Sequence, residues 1–492
     1  MSLKIGMKSV DITPPAPVSI SGQFRIRISE GMESPLFANI FVLEKEGSQI
    51  IICSCDLGGI IEEFNADVRK KVAQRCPDIK VEDIMISATH IHTGPDTYPK
   101  RPVGFIEQKY LPYGIHVIAN EVVPPEMWDG NKCRDYITTV VAEGICDAWE
   151  SRSEAYFGAA FGRAVVGHCR RAVYEDGSAR LFGTTQVDSF SYIEAGEDSG
   201  VELLYVFNED KRPVGALVNV ACPAQVVEDM KVISSDYWGK VRDYVHAELG
   251  DDFVVVGLLS AAGDQCPVDL IRRFRMKNAD NRMYRRSDTF SMENNYEGTY
   301  EIGKRLGREI IERIPEAVRI MKDDAVVENV TLTLDLPIRR VSDEEHAENM
   351  RKLKAKLDDF GTTELTPGQA SDVYIYTGAN RRYMMQKEMD SFKANVHIAR
   401  LDDMAFATNP FELFIDFGNE IRAKSPAAQT FLIQLCDGAR GYLPTKAAER
   451  GSHYSAYVSS GWTGHEGGKL LVEESLKAIR AQFKIMNWSN DQ

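Results

Sequence analysis

The chain has 492 residues, with 58 basic and 73 acidic side chains and a formal net charge of −15. Length alone predicts about three domains of ordinary size, and a hydrophobic content of 43% excludes wholesale disorder. The acidic balance argues against a general binder of the phosphate backbone, because repulsion would oppose each encounter with nucleic acid. We therefore expect no nucleic-acid partner.

Compartment and membrane signals are weak. No apolar stretch approaches the ~20 residues of a transmembrane helix, and residues 1–8 lack the apolar segment of a secretory signal. The nine cysteines form no short-spaced framework, and several lie inside apolar runs. These features predict reduced, mostly buried thiols in a cytoplasmic protein without stable membrane insertion. A leader removed earlier would leave no trace here, and the oligomeric state stays open.

Short apolar runs alternate with amphipathic patterns along the chain. Strands are predicted, from β-branched content and length, over Phe37–Leu43, Ile50–Cys55, Ile84–Ala88, Gly215–Cys222, Phe253–Leu259, Val330–Leu336, Val396–Leu401 and Thr430–Cys436. Helices are predicted, from apolar spacings of three and four, over Ile60–Arg75, Arg134–Trp149, Tyr237–Leu249, Tyr300–Arg319, Glu344–Leu357, Phe414–Ala423 and Gly468–Phe483. The alternation predicts an α/β fold of mixed β-sheets covered by α-helices.

The sequence shows no internal repeat. Polar insertions are predicted near residues 272–295 and 342–394, and neither has the composition of a flexible linker. One large domain over residues 1–492 therefore fits better than three.

Reactive side chains recur just past the predicted strands. They are His90, His92, Cys222, Asp264, Cys266, Glu412 and Tyr442. Ligands of open α/β sheets bind outside the carboxyl ends of strands, so these loops predict one assembled site.

The sharpest local signal is the segment Ser-Ala-Thr-His-Ile-His-Thr-Gly-Pro, which carries His90 and His92. Residues two apart in an extended segment face the same side, so both imidazoles can address one centre. Imidazole suits both zinc binding and proton transfer near neutral pH. The alternative is a pair of polar loop residues before a Gly-Pro turn.

This segment resembles the signature of the neutral, non-lysosomal ceramidases, zinc-dependent amidases that split the amide of N-acyl sphingosine. Further segments agree in order with that family. They are Asp11-Ile12-Thr13, Asp56-Leu57-Gly58, Ile233-Ser234-Ser235-Asp236, Gly263-Asp264-Gln265-Cys266-Pro267, Asn409-Pro410-Phe411-Glu412 and the pair Tyr442 and Tyr454. The resemblance implies a single ceramidase-like catalytic domain. We expect a divergent member without the family's C-terminal immunoglobulin-like domain.

The resemblance also implies roles for individual residues. His90, Glu412 and Tyr442 resemble ligands of one catalytic zinc ion, and His92 resembles a histidine that either supports a zinc ligand or acts as acid and base. Arg170 falls near the family's substrate-binding arginine, and Tyr454 resembles a residue that holds the oxyanion.

Two residues depart from the family pattern. Cys222 stands where the family has its second zinc histidine, and thiolate is itself a good zinc ligand. Cys266 replaces the family's essential serine and could keep a nucleophilic or orienting role. Plain structural roles compete with all these assignments. Cys222 could end a core strand, Cys266 could be an inert turn residue, Glu412 could favour a helix start, Tyr442 could be core and Arg170 could be a surface charge.

A basic cluster follows Cys266-Pro267 and could attract an anionic substrate, or it could be a solvated insertion paired with nearby acids. Its members are Arg272, Arg273, Arg275, Lys277, Arg282, Arg285 and Arg286.

The leading prediction is a zinc-dependent hydrolase of a small-molecule amide or N-acyl substrate, with zinc held by His90, Cys222, Glu412 and Tyr442. In that prediction His92, Arg170 and Tyr454 carry the catalysis. The alternatives are a cysteine-nucleophile amidohydrolase using Cys266 and a non-catalytic ligand-binding homologue. Ceramide itself is not specified, because no exposed apolar insertion offers a membrane dock.

Overall fold

The computed structural model describes residues 3–98, 106–119, 122–277 and 296–484. Their strands are β1 (Lys4–Asp11), β2 (Phe37–Lys45), β3 (Ser48–Cys55), β4 (Ile84–Ala88), β5 (His116–Val117), β6 (Ser153–Glu154), β7 (Tyr156–Arg163), β8 (His168–Cys169), β9 (Arg171–Tyr174), β10 (Ala179–Leu181), β11 (Phe190–Ile193), β12 (Gly200–Phe207), β13 (Pro213–Val220), β14 (Val254–Leu259), β15 (Gln265–Cys266), β16 (Val327–Pro337), β17 (Glu364–Leu365), β18 (Ser391–Leu401), β19 (Met404–Thr408), β20 (Glu412–Leu413), β21 (Gln429–Ile433) and β22 (Tyr442–Leu443).

The helices complete the α/β architecture predicted from the sequence. They are α1 (Glu62–Arg75), α2 (Gly130–Glu150), α3 (Asp236–Leu249), α4 (Leu270–Lys277), α5 (Tyr296–Glu312), α6 (Ile314–Arg319), α7 (Asp343–Phe360), α8 (Pro367–Asp372), α9 (Tyr374–Met385), α10 (Ile415–Lys424), α11 (Lys446–Gly451) and α12 (His465–Gln482), with short 3-10 turns at Val81–Asp83 and Gln108–Tyr110. Among the described residues, no helix is both long enough and apolar enough to cross a bilayer.

The three main sheets share one topology. Their strand orders are β4-β3-β2-β1 with β6 at the edge, β14-β13-β12-β7, and β21-β19-β18-β16. In each sheet the first three strands in chain order pair antiparallel, and a helix then crosses over to a fourth strand that is parallel to the third. The crossover helices are α1, α3 and α10, and each packs on a later helix, α2, α5 or α12. The structure therefore contains a threefold repeat of topology that the sequence does not show.

We call each main sheet with its two helices a unit, and we number the units first, second and third in chain order. This topology makes one end of each unit the functional end. The first, third and fourth strands of a unit run in the same direction, so their carboxyl ends lie at the same end of the sheet. In each unit, the connection from the first strand to the second lies at that end as well. We call these connections, one in each unit, the long connections. They span residues 12–36, 164–199 and 338–390.

A shared core joins the three units. One buried cluster takes Ile52 from the first sheet, Val256 from the second and Phe406 from the third. The opposite faces of the sheets lie under helices, and Cys53 and Cys55 belong to that helix-covered cluster. Because both faces of these strands are buried, the sequence shows near-continuous apolar runs instead of strict alternation.

The inner strands also contact one another directly across units. The amide of Asp437 donates to the carbonyl of Ile86, and the amide of Gln434 donates to the carbonyl of Leu259. The parallel strand pairs of the three units therefore meet, and the loops that follow them face a common centre.

The observed elements match most predicted ones, with two differences. The helix predicted over Tyr300–Arg319 divides at Arg313 into α5 and α6, where Pro315 cannot continue the hydrogen-bonding ladder. The polar stretch 342–394 folds into α7, α8 and α9, which pack through Leu353, Leu357 and Val373 onto Ile115. The predicted insertion near 272–295 lies largely outside the described residues.

The basic cluster after Cys266 is only partly described. Arg272 forms an ion pair with Asp269, so one charge of the cluster is paired with a neighbouring acid. Arg282, Arg285 and Arg286 lie outside the described residues, and substrate steering by this cluster stays a prediction.

Candidate active site

Glu412 and Tyr442 begin two short strands that pair in parallel. They are direct register partners in that ladder, so their side chains lie side by side. The Tyr442 side chain is one of the groups that lower the pKa of Glu412. Gly263 packs so tightly on this ladder that a Cβ there would lie 2.2 Å from the Glu412 carbonyl oxygen. The second unit therefore supports a residue pair supplied by the third.

His90 approaches the same carboxylate from the first unit. Its Nδ1 lies 2.5 Å from the carbonyl oxygen of Gly58, which fixes the ring proton on Nδ1. Its Nε2 then faces Oε2 of Glu412 at 3.4 Å. Burial opposes ionisation of Glu412, but His90 and Arg170 outweigh it and lower the pKa of Glu412.

Arg170 reaches the site from the long connection of the second unit. It is 4% exposed, and its Nη2 donates to the Gly263 carbonyl at 3.0 Å and to the Tyr442 hydroxyl at 3.2 Å. The alternative of a surface charge is therefore wrong for Arg170. Burial raises the pKa of Tyr442, as does the Glu412 carboxylate, while Arg170 opposes the shift.

His92 is held between two side chains of the second unit. Its Nδ1 lies 3.1 Å from Oε2 of Glu228, and its Nε2 lies 2.9 Å from the amide nitrogen of Gln225. An amide N–H donates to Nε2, so the ring proton is on Nδ1 and faces Glu228. Burial lowers the pKa of His92, and the Glu228 carboxylate partly offsets that effect.

A buried arginine fixes the loops on both sides of His92. Arg27 is 0% exposed, and it donates to the carbonyl oxygens of His92 and Glu228 at 2.6 and 2.7 Å. Gly22 lies against the imidazole of His92, where a Cβ would come within 2.4 Å of the ring. The loop that covers His92 therefore depends on a glycine at this position.

Tyr454 lies beside Tyr442 at the edge of the site. The two ring centres are 5.5 Å apart at an interplanar angle of 74°. Burial raises the pKa of Tyr454 far above its usual range, so its hydroxyl is a neutral hydrogen-bond donor.

Cys222 contacts backbone carbonyl groups. Its thiol is fully buried and contacts the carbonyl oxygens of Val166 and Pro223 at 3.6 and 3.5 Å. Burial raises its pKa well above the usual range. The structure therefore gives this thiol partners of its own, and the role of metal ligand stays a prediction.

Cys266 is also a buried thiol. It is 1% exposed, and its sulfur accepts a hydrogen bond from the amide of Val268 at 3.3 Å. Burial raises the pKa of Cys266 to about 12, although Arg170 opposes the shift. An activated cysteine nucleophile shows the opposite, a lowered pKa.

The donor atoms of His90, Glu412 and Tyr442 fit a metal ion in their chemistry. The Nε2 lone pair of His90 faces an anionic carboxylate, an arrangement that needs a proton or a metal cation between the two atoms. Their separation of 3.4 Å is close to the ~3.3 Å between two ligands of a tetrahedral zinc ion. Binding of Nδ1 to a backbone carbonyl is the usual support of a metal-binding histidine. Within the described ranges, no three His, Cys, Asp or Glu side chains form a metal-binding group.

The sequence analysis missed the residues that surround this centre. Glu228, Gln225 and Gly58 each contact a predicted histidine. Glu228 lies in a loop eight residues past β13, where it is indistinguishable in sequence from a surface acid. Gly58 stands in the segment Asp56-Leu57-Gly58, three residues past a predicted strand, but no local pattern marks it as the partner of His90.

No protein-family model and no curated protein matches this chain, but solved structures do. The neutral ceramidase from Pseudomonas aeruginosa aligns with a TM-score of 0.66 and 15% identity, over 100% of this chain and 76% of that chain. A ceramidase complexed with C2 aligns with a TM-score of 0.65 and 14% identity, over 99% and 76%. Identity this low shows the fold alone. The resemblance found in the sequence is thus confirmed at that level: this chain has the fold of the neutral ceramidases.

Proposed function

We propose that this protein is a metal-dependent hydrolase of small amides or N-acyl compounds. The observation that carries the proposal is the convergence of His90 Nε2 on Glu412 Oε2 at 3.4 Å, with Tyr442 the register partner of Glu412 in the adjoining strand. The ceramidase fold supports the class of reaction, since proteins named as ceramidases share it. Substrate and metal are both part of the proposal.

His90, Glu412 and Tyr442 hold the ion, which we propose to be zinc. When bound, zinc polarises a carbonyl and lowers the pKa of a bound water molecule towards ~7. Cys222 is not needed for this set, because a catalytic site commonly has three protein ligands and one open position.

His92 transfers protons during the hydrolysis. Its Nε2 accepts a proton once the amide of Gln225 gives way, and the Glu228 carboxylate, 3.1 Å from Nδ1, then stabilises the imidazolium. Arg170 and the hydroxyl of Tyr454 stabilise negative charge on the substrate oxygen. Arg170 is suited to this because its guanidinium is buried and already held by the Gly263 carbonyl.

The Cys266 nucleophile is the weaker alternative. A thiol whose pKa is near 12 contributes little thiolate at neutral pH. A non-catalytic ligand-binding protein is the third possibility, and the cysteines at positions 222 and 266 are the two departures that motivate it.

A panel of N-acyl compounds that includes ceramide tests the proposal, with each compound assayed before and after metal removal. We expect turnover that is lost on chelation and restored by zinc. Loss of activity with iodoacetamide but not with chelators would instead favour Cys266. Tight ligand retention without turnover of any amide would support a binding protein.

A further inference from the structure

Four aromatic side chains form a continuous row from the proposed catalytic centre to its rim. Tyr442 contacts Tyr454, Tyr454 contacts Phe24, and Phe24 contacts Tyr374, with ring centres 5.5, 5.7 and 5.1 Å apart. Tyr374 and Tyr454 are themselves 6.3 Å apart. We call Phe24, Tyr374 and Tyr454 the aromatic rim.

The aromatic rim is assembled from distant parts of the chain. Phe24 lies in the long connection of the first unit, Tyr374 lies in that of the third, and Tyr454 follows α11. Each of these three residues is half-buried, whereas Tyr442 beneath them is 7% exposed. The rim therefore lies where the functional end of the fold becomes partly exposed, next to the register partner of Glu412.

Tyr374 is fixed in place by contacts along its own helix. Its hydroxyl donates to the carbonyl of Ser459 at 2.9 Å. Four residues further along α9, Gly378 packs so closely that a Cβ would lie 2.3 Å from the Ser459 side chain. Arg382 on the same helix donates to the carbonyl of Gly461. The helix thus holds the ring on the loop that also carries Tyr454.

The packing of these rings indicates the chemistry of their ligand. Phe24 meets Tyr374 at 67° and Tyr454 at 71°, which is the edge-to-face geometry that aromatic pairs prefer. A further flat ring can join such an arrangement with the same preference, whereas an alkyl chain gains only the burial of its area.

We propose that the aromatic rim is a subsite for an aromatic group close to the scissile amide, and that Tyr374 is a specificity-determining residue. The inference rests on the proposed function, because the row of rings leads from Glu412 and Tyr442. It makes the helical segment 343–385 part of substrate selection.

Three N-acyl amino acids test the subsite. N-benzoylglycine and N-acetylphenylalanine carry a ring on either side of the amide, and N-acetylglycine carries none. We expect the wild type to prefer one ring-bearing compound, and Tyr374→Ala to lower kcat/KM for that compound about tenfold, chiefly through KM. The same variant should change kcat/KM for N-acetylglycine much less than for the preferred compound, and a cooperative unfolding transition shows that it folds.

Two further variants isolate the ring. Tyr374→Phe keeps the ring and loses only the bond to Ser459, so it should retain the preference. Tyr383→Ala is the matched control on the same helix, because the Tyr383 ring stacks on His346 at 3.8 Å instead of joining the rim. This control should leave all three rates unchanged.

The subsite and the proposed function can fail separately. Turnover of N-acetylglycine without any ring preference, or a preference for N-lauroylglycine that Tyr374→Ala leaves unchanged, would overturn the subsite alone. If no amide is hydrolysed, calorimetric titration with N-benzoylglycine still tests whether the subsite exists. Binding that Tyr374→Ala weakens about tenfold would support the subsite without the hydrolase, and absence of binding would overturn both.

Discussion

Glu412 and Tyr442 face one another as register partners of a two-residue parallel ladder, and His90 of another unit completes the group. The ladder itself is too short to be stable alone. It is held by Gly263 and Arg170 of the second unit, which contact the Glu412 carbonyl and the Tyr442 hydroxyl. All three units therefore contribute to the geometry of this pair.

Removal of a proposed metal ligand should remove the metal. We expect about one zinc ion per wild-type chain by elemental analysis, and little in His90→Ala or Glu412→Gln. Activity should fall at least about 100-fold in both variants, since even residues that only support a ligand cost 10–100-fold. A wild type without stoichiometric metal would refute the metal-dependent proposal.

Cys222 provides a sharper test of the ligand set. Because its thiol contacts the carbonyls of Val166 and Pro223, Cys222→Ala should keep the zinc content and most of the activity. The expected cost is stability, of the order of 1 kcal/mol, measured as a lower unfolding midpoint. Loss of zinc in this variant would instead assign Cys222 to the metal.

Gly22 should be required for the position of His92. A methyl group there would meet the imidazole at 2.4 Å, and the backbone has a φ of +97°. We expect Gly22→Ala to lower kcat/KM at least about tenfold by displacing the ring or its loop. Gly47→Ala is the control, because Gly47 has a φ of +81° but open space around its Cα. Equal effects of the two substitutions on activity would contradict this role.

Asp56 and Arg242 form a buried ion pair behind the histidine loop. Their atoms are 2.6 Å apart with side chains 0% and 6% exposed, and Asp56 also accepts a hydrogen bond from Thr89, the neighbour of His90. Arg242→Met should cost about 3–5 kcal/mol in the free energy of unfolding, because Asp56 is left buried and unpaired. The double variant with Asp56→Asn should recover most of that loss, as measured by urea denaturation.

Asp236 should make the protein less stable as pH rises. Burial raises its pKa in the folded state to about 7, above the ~3.9 of an unfolded chain. Between these values the folded protein binds more protons than the unfolded one, so this contribution to stability is lost as pH rises from about 4 to 7. Asp236→Asn should remove the loss, and its advantage in unfolding midpoint over the wild type should grow from pH 5 to pH 8. A difference that does not change with pH would refute the assignment.

The sequence was most informative where one physical effect dominates. Ile84–Ala88 was predicted with its observed bounds because a strand buried on both faces is a continuous apolar run. The repeat escaped detection because the first strands of two units carry weak signals. Lys4–Asp11 holds charged residues and Tyr156–Arg163 holds two glycines. Without those strands the common topology could not be recognised.

The site residues fall into two groups, those that stand in sequence motifs and those that only the fold brings to the site. His90, Glu412 and Tyr442 stand in ordered motifs, and the structure brings them together. The contacts of Glu228 and Gln225 with His92 depend on the path of the loop after β13, which no local pattern specifies. The same limit applies to Cys222, whose thiol direction is set by packing against Val166.

The division of the site among three similar units has a consequence for folding. Each unit can build its own strands from neighbouring segments of chain, yet none of them alone contains His90 together with Glu412 and Tyr442. Affinity for a metal would thus appear only when the units associate, later than the bulk of the secondary structure. If metal uptake is followed during refolding together with far-ultraviolet circular dichroism, it would then report the time at which the units associate.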